Sequence, residues 1–370
     1  MVIIRIYMPI IFICLIFITG CNRERHISKA TPVLLQVSPT LSVDSISLTP
    51  TASITPRATH SYGEIDIIPG TPEPTPTEPP YTLPPPYVFI TKWGSPGSGD
   101  GQFDSPGDIT IDNEGYIYVI DTNNKRLQKF DSDGNFMIKW ALNTVNKKIR
   151  GYFYDSIAVD HKGYIFVGDT YNDCIEKFDS KGNFIKKWDV IDPQKIRTDM
   201  EGNIFIISLD TVEKLTPGGN FIKQWEPSKF DYSIGGHVTC LDITVIPSGD
   251  IFLVYGIASC DEYQHVSYVN IHKFDSEWNF ITRWGPGGIK SSNEFYGSTY
   301  ITSDKKGNIF TANGNSLRMF DSNGNFIGKW WVPDTGIADI TVDSDGNIYI
   351  SEPRKCRIQK FAPNPEFKVK

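Results

Sequence analysis

Asp108, Asp242 and Asp339 each open a short run of the same make, DITID (108–112), DITVI (242–246) and DITVD (339–343). Aligned on their ends, three further runs open on Ser156, Lys195 and Tyr300. If one architecture gathers these first positions, its carboxylates repel each other unless a proton, a hydrogen-bond donor or a cation compensates them. Oxygen-only ligands suit a hard cation, so a Ca²⁺-like ion is one expectation for Asp108, Asp242 and Asp339, and no other cofactor is expected. Lys195 is a rival source of positive charge. The plainer expectation is that each aspartate accepts backbone N–H bonds from the loop before it and fixes the entry of its strand. A second set, Asp112, Asp160, Asp199, Asp304 and Asp343, closes most of the runs. Each stands alone in its own turn, which suits turn capping better than a metal.

Other reactive types are sparse. Beyond the first 86 residues histidine occurs at His161, His237, His265 and His272, and no GxSxG, HExxH or P-loop pattern is present. Six cysteines in 370 residues are too few for a disulfide scaffold. A formal charge of −7 argues against a protein that wraps nucleic acid through its phosphates. The 39% hydrophobic content leaves enough apolar material for a large core.

The element that could gather the runs is written as a repeat. KFDSDGNFMIKW (129–140), KFDSKGNFIKKW (177–188), KLTPGGNFIKQW (214–225), KFDSEWNFITRW (273–284) and MFDSNGNFIGKW (319–330) recur, and FITKW (89–93) ends in the same way. Their tryptophans are spaced by 47, 48, 37, 59 and 46 residues. Periods near 45 with several strand-like runs per unit are the signature of propeller blades. In the first unit DITID, YIYVID, RLQKFD and FMIKW are four strands separated by Asp/Gly turns. The expected fold is all-β, a six-bladed β-propeller of four-stranded antiparallel blades over 87–370.

DITIDNEGYIYVIDTNNKRLQKFDSDGNF, SIAVDHKGYIFVGDTYNDCIEKFDSKGNF and DITVDSDGNIYISEPRKCRIQKF resemble the NHL repeat. In that family six such units close into a propeller. Blade 3 departs through its shortened SLDTVEKL turn, and blade 4 through the insertion ASCDEYQHVSYV. Blade 4 also has Trp278 where the other turns have glycine, so that turn is expected to be built differently. Blade 6 lacks an outer strand of its own, and either FITKW or the C-terminal APNPEFKVK could supply it; FITKW carries the tryptophan and is preferred. Amidating lyases that resemble this family bind zinc through several histidines, and streptogramin lyases, also six-bladed, rely on a histidine-centred site. Neither set can be placed on this chain's histidines.

In this topology the loops entering each blade share one face with the turns between its second and third strands. That face should collect Asp121, Asn124, Arg126, Asp169, Tyr171, Glu352 and Arg354, a candidate ligand face. It also receives the blade 4 insertion and the loops 94–107, 141–155, 226–239 and 285–298, with Phe153, Tyr154, Tyr232, Tyr263 and Tyr268 among them. Cys240, just before the innermost strand of blade 4, and Cys260, in the insertion, emerge there too; they form either a disulfide or two free thiols.

Residues 1–21 read as an export signal: one early charge at Arg5, an apolar run, then Ile18-Thr19-Gly20-Cys21. The ending resembles the bacterial lipobox, which implies lipidation of Cys21; an uncleaved anchor is the alternative. Residues 22–86 hold 13 Pro, 10 Thr and 7 Ser, the composition of a disordered spacer. The expectation is a monomer outside the cytoplasm, held to the membrane of a bacterial cell envelope. It would act as a scaffold recognising an envelope protein, peptide or glycan through the loop-rich face, with no nucleic-acid partner. The alternative is a metal-dependent lactonase- or lyase-type six-bladed enzyme.

Overall fold

The computed structural model describes residues 84–142, 156–208, 211–226, 237–258, 267–285, 295–296, 299–333 and 336–368. The signal segment with Cys21, the linker up to residue 83, Cys260 and the loop residues Phe153, Tyr154, Tyr232 and Tyr263 lie outside these.

The turn grammar of the repeat yields six antiparallel sheets. The first strand of the chain is β1 (Tyr87–Trp93). Blade 1 holds β2 (Pro106–Ile111), β3 (Ile117–Asp121), β4 (Arg126–Phe130) and β5 (Phe136–Ala141). Blade 2 holds β6 (Ser156–Val159), β7 (Ile165–Asp169), β8 (Cys174–Phe178) and β9 (Phe184–Asp189). Blade 3 holds β10 (Pro193–Thr198), β11 (Ile204–Ser208), β12 (Thr211–Leu215) and β13 (Phe221–Trp225). Blade 4 holds β14 (His237–Val245), β15 (Ile251–Ala258), β16 (Ser267–Phe274) and β17 (Phe280–Trp284), with the short β18 (Phe295–Tyr296) paired to β16. Blade 5 holds β19 (Thr299–Ser303), β20 (Ile309–Asn313), β21 (Ser316–Phe320) and β22 (Phe326–Trp331). Blade 6 holds β23 (Asp339–Val342), β24 (Ile348–Glu352) and β25 (Arg357–Pro363). The innermost strands β2, β6, β10, β14, β19 and β23 neighbour one another in that order, and β23 returns to β2.

Blade 6 takes its outer strand from the N-terminus. β1 runs antiparallel to β25, with Phe89 opposite Phe361 and Trp93 opposite Ile358. The C-terminal residues do not form that strand. Asn364 turns back instead, its amide donating to the Pro86 carbonyl at 2.9 Å and its Nδ2 to the Pro85 carbonyl at 2.9 Å.

The cores lie between blades. Tyr118, Ile120 and Leu127 of blade 1 pack with Ile157, Val159, Ile165 and Val167 of blade 2, and corresponding clusters fill the other junctions. Strands such as β3, β7 and β11 are therefore buried on both faces, as their unbroken apolar runs require.

Four of the six outer-strand tryptophans use the next blade's turn glycine as a seat. Gly134, Gly182, Gly219 and Gly324 all have positive φ, and an added Cβ would meet Trp93, Trp140, Trp188 and Trp284 respectively. The repeat thus needs glycine for conformation and for space. Trp278 corrects one expectation. Its turn is not built differently: φ is 69°, its amide donates to the Asp275 carbonyl at 3.0 Å, and Asp275 caps the amides of Glu277 and Asn279 as its counterparts do. The same bonds hold the backbone in place against the side chain's strain. The indole fills the seat itself, 4.6 Å from Trp225 and 5.9 Å from Phe205 between ring centroids.

Candidate functional site

Innermost strands have no β-partner on the channel side, so their entry amides need other acceptors. The first-position residues provide them across blade boundaries. Asp108 Oδ2 accepts from the Ile157 amide at 2.8 Å and the Ser156 hydroxyl at 2.6 Å, and Ser156 Oγ accepts from the Ile196 amide at 2.9 Å. Asp242 Oδ2 accepts from the Ile301 amide at 3.0 Å, and Asp339 Oδ2 from the Ile109 amide at 3.2 Å. Among the described residues the aspartates therefore latch their strand to the next blade.

The charges between them belong to the chain itself. Lys195 Nζ lies 2.5 Å from Asp108 Oδ1 and 3.2 Å from Asp339 Oδ1. Arg197 Nη2 lies 3.3 Å from Asp242 Oδ1 and from Asp339 Oδ1, and its Nη1 lies 3.5 Å from Asp108 Oδ2. An ammonium and a guanidinium supply the compensation assigned above to a Ca²⁺-like ion at Asp108, Asp242 and Asp339. Among the described residues no group of three or more His, Cys, Asp or Glu is arranged to hold a metal ion. Aligning first positions does not single out Arg197. Its signal is an arginine at the third position, where the other runs carry Thr110, Ala158, Thr244, Thr302 and Thr341.

Three carboxylates against two cations leave one excess negative charge in a buried cluster. Asp339 carries the imbalance: burial and the adjacent Asp108 push its carboxyl well above the ordinary range, against Lys195 and Arg197. Burial would raise Asp108 as well, but Lys195 and Arg197 outweigh it and hold that carboxyl low. Lys195 is held above its ordinary value because Asp108, Asp339 and Asp242 outweigh its burial. A proton retained on Asp339 would make the cluster neutral.

Arg197 also bounds a cavity of about 190 Å³, lined by Thr110, Thr244 and Thr341 and reaching the turns of the opposite face. The aspartates there cap their own turns. Asp112 Oδ1 accepts from the amides of Glu114 and Tyr116 at 3.0 and 2.9 Å, and Asp160, Asp199, Asp304 and Asp343 repeat the pattern.

The candidate ligand face divides sharply. Asp121 is fully buried and accepts from Arg126 Nε at 2.7 Å, the Asp104 amide at 2.7 Å and Asn124 Nδ2 at 2.9 Å. Arg126 continues into the loop before blade 1, donating to the carbonyls of Ser98, Gly99 and Gln102. Glu352 repeats the arrangement with Arg357 Nη2 at 3.2 Å and Gln359 Nε2 at 2.7 Å. Arg357, five residues after Glu352 as Arg126 is after Asp121, is therefore the structural counterpart; the sequence reading picks Arg354, which lies in the 3₁₀ turn Pro353–Lys355 and is exposed. Asp169 caps its turn through the amides of Tyr171 and Asn172. Of the seven face residues, Tyr171, 38% exposed, and Arg354 point outward.

Residues 103–130, which carry Asp108, Asp121 and Arg126, match the NHL repeat. A segment of 50 residues is 46% identical to protein lin-41 of Caenorhabditis elegans, covering 14% of this chain and 4% of that protein. Another of 55 residues is 38% identical to NHL repeat-containing protein 3 of Homo sapiens, covering 14% of this chain and 16% of that one. The chain thus spans a small part of each relative. Among solved structures, a streptogramin B lyase superposes with a TM-score of 0.51 at 15% identity, over 75% of this chain and 98% of the lyase, a likeness of fold.

His161 and His272 do not converge. His161 stands in the turn after β6 at the cavity mouth, whereas His272 is buried within β16, 4.4 Å from the Tyr255 ring. Cys240 lies inside β14, not before it, in register with Tyr255; its pairing with Cys260 falls outside the described residues. Cys174 and Cys356 form no disulfide.

Proposed function

We propose that the protein is a membrane-tethered extracytoplasmic scaffold whose NHL-type propeller recognises a protein, peptide or glycan of the cell envelope through its loop-rich face. One observation carries this reading: the acids and bases best placed for chemistry are engaged in holding the ring together. Asp108, Asp242 and Asp339 latch blades, Lys195 and Arg197 pair with them, and Asp121 and Glu352 anchor the strand arginines Arg126 and Arg357. A face left with exposed Tyr171 and Arg354 on a rigid frame suits recognition. The lipobox-like Ile18-Thr19-Gly20-Cys21 and the Pro-rich linker support the tether.

Two measurements test it. Cys21→Ala is expected to abolish lipid labelling and leave an unprocessed precursor; unchanged mass and membrane partitioning would end the lipoprotein reading. Peptide and glycan arrays probed with the full chain should give a binder that Tyr171→Ala with Arg354→Ala weakens at least about tenfold. A binder indifferent to both changes would move recognition off this face.

A further inference from the structure

Aromatic and proline residues that the repeat does not require gather at the seam between β22 and β1. Pro84, Pro85, Pro86, Tyr87, Trp331 and Phe367 line a groove of about 670 Å³ there. The position after the blade tryptophan is Ala141 in blade 1, Asp189 in blade 2 and Glu226 in blade 3, yet in blade 5 it is Trp331, 51% exposed.

The groove already grips proline. Tyr87 stacks on Trp330 at 4.9 Å with 15° between the planes. Pro86 packs so closely on Gly328 that a Cβ there would come within 2.9 Å of its ring. Asn364 fixes the Pro85 and Pro86 carbonyls, each at 2.9 Å. The described chain starts at Pro84, in the wall of this groove, and the residues immediately before it are Pro79-Pro80-Tyr81-Thr82-Leu83.

Length and charge agree with these residues as the occupant. From Gly328 to Trp331 is about 10 Å of strand. Three residues of polyproline II upstream of Pro84 reach about 9 Å. Pro-rich segments dock in aromatic grooves at low entropic cost, and covalent continuity gives a high effective concentration. Glu78 precedes the segment, and Lys92 and Lys329 border the groove.

We propose that Pro79–Leu83 of this chain docks in the groove between β22 and β1, with Tyr81 and Leu83 covering Trp331. The end of the linker then lies over the seam between blades 5 and 6.

Chymotrypsin can test this on the full chain, because Tyr62 in the same linker is an internal control. Cleavage after Tyr81 is expected about tenfold slower than after Tyr62 in the wild type. Trp331→Ala, a change at an exposed side chain, should make the two rates equal. Equal rates in the wild type would overturn the proposal. So would protection of Tyr81 that survives Trp331→Ala, since the groove would not be its cause. Protection lost on dilution would also overturn it, because the occupant would be the linker of a second copy.

Discussion

Asp339 accepts the Ile109 amide at 3.2 Å and so joins the last blade to the first, while its other oxygen stands 3.2 Å from Lys195 Nζ. One carboxyl serves as latch and proton store. Its raised value means the native ring keeps a proton that the unfolded chain loses above about pH 4. The stability this contributes is complete below that pH and declines as pH rises toward the folded value. Asp339→Asn keeps the acceptor and the uncharged form, so its unfolding free energy is expected to fall less steeply with rising pH than that of the parent. Parallel curves would mean that Asp339 is ionised in the ring.

Asp108→Asn should behave in the opposite way. Asp108 is the partner of Lys195 and Arg197, and its low value adds stability that is present above about pH 4 and lost only in strong acid. At neutral pH, denaturant unfolding should show a larger loss for Asp108→Asn than for Asp339→Asn.

Gly324→Ala is expected to cost about 2–4 kcal/mol, combining left-handed strain with overpacking. The added Cβ would stand 2.6 Å from the Trp284 indole. Gly115→Ala has a similar φ of 87° and nothing within 4 Å, so it should cost only about 1 kcal/mol. Equal losses would remove the seat from the explanation.

Trp278→Gly restores the usual turn residue and relieves about 1 kcal/mol of strain. It also empties the space beside Trp225 and Phe205, a loss of about 3–5 kcal/mol. Net destabilisation is expected, and a stabilised variant would show that strain dominates there.

Much of this was legible because the repeat writes one residue into one place many times. FITKW identifies the closing strand because it carries Trp93, the tryptophan that the seat at Gly134 requires. The aspartates of the innermost strands were legible as a set, but their compensation was not. Arg197 reaches them from two positions along β10, a relation that only curvature into a ring creates. Trp278 misleads for the converse reason: positive φ argues against tryptophan locally, whereas the void beside Trp225 is a property of two neighbouring blades. Arg354 stands two residues after Glu352, whereas the five-residue interval from Asp121 to Arg126 points to Arg357.

Arg126→Ala tests that last relation. It leaves the buried Asp121 without its cation, and a loss of about 3–5 kcal/mol with faster exchange in residues 94–105 is expected. Arg354→Ala should leave the unfolding midpoint unchanged.

Closure offers a cut-and-measure check. A chain beginning at Gly94 lacks β1 and should lose cooperative unfolding, whereas removing residues 366–370 should cost far less, since Glu366, Phe367 and Lys368 lie outside the strands. The reverse order of damage would assign closure to the C-terminus.

The closing strand is also the strand through which the linker enters. Tension applied from the N-terminal side reaches the ring at Tyr87, and it meets the Asn364 bonds to Pro85 and Pro86 before the β1–β25 pairing. Five blades are formed from consecutive strands and have no such free end in their outer strand, so the load falls on blade 6 alone. The molecule therefore has a defined mechanical weak point, and pulling would open it there while leaving the other blades intact.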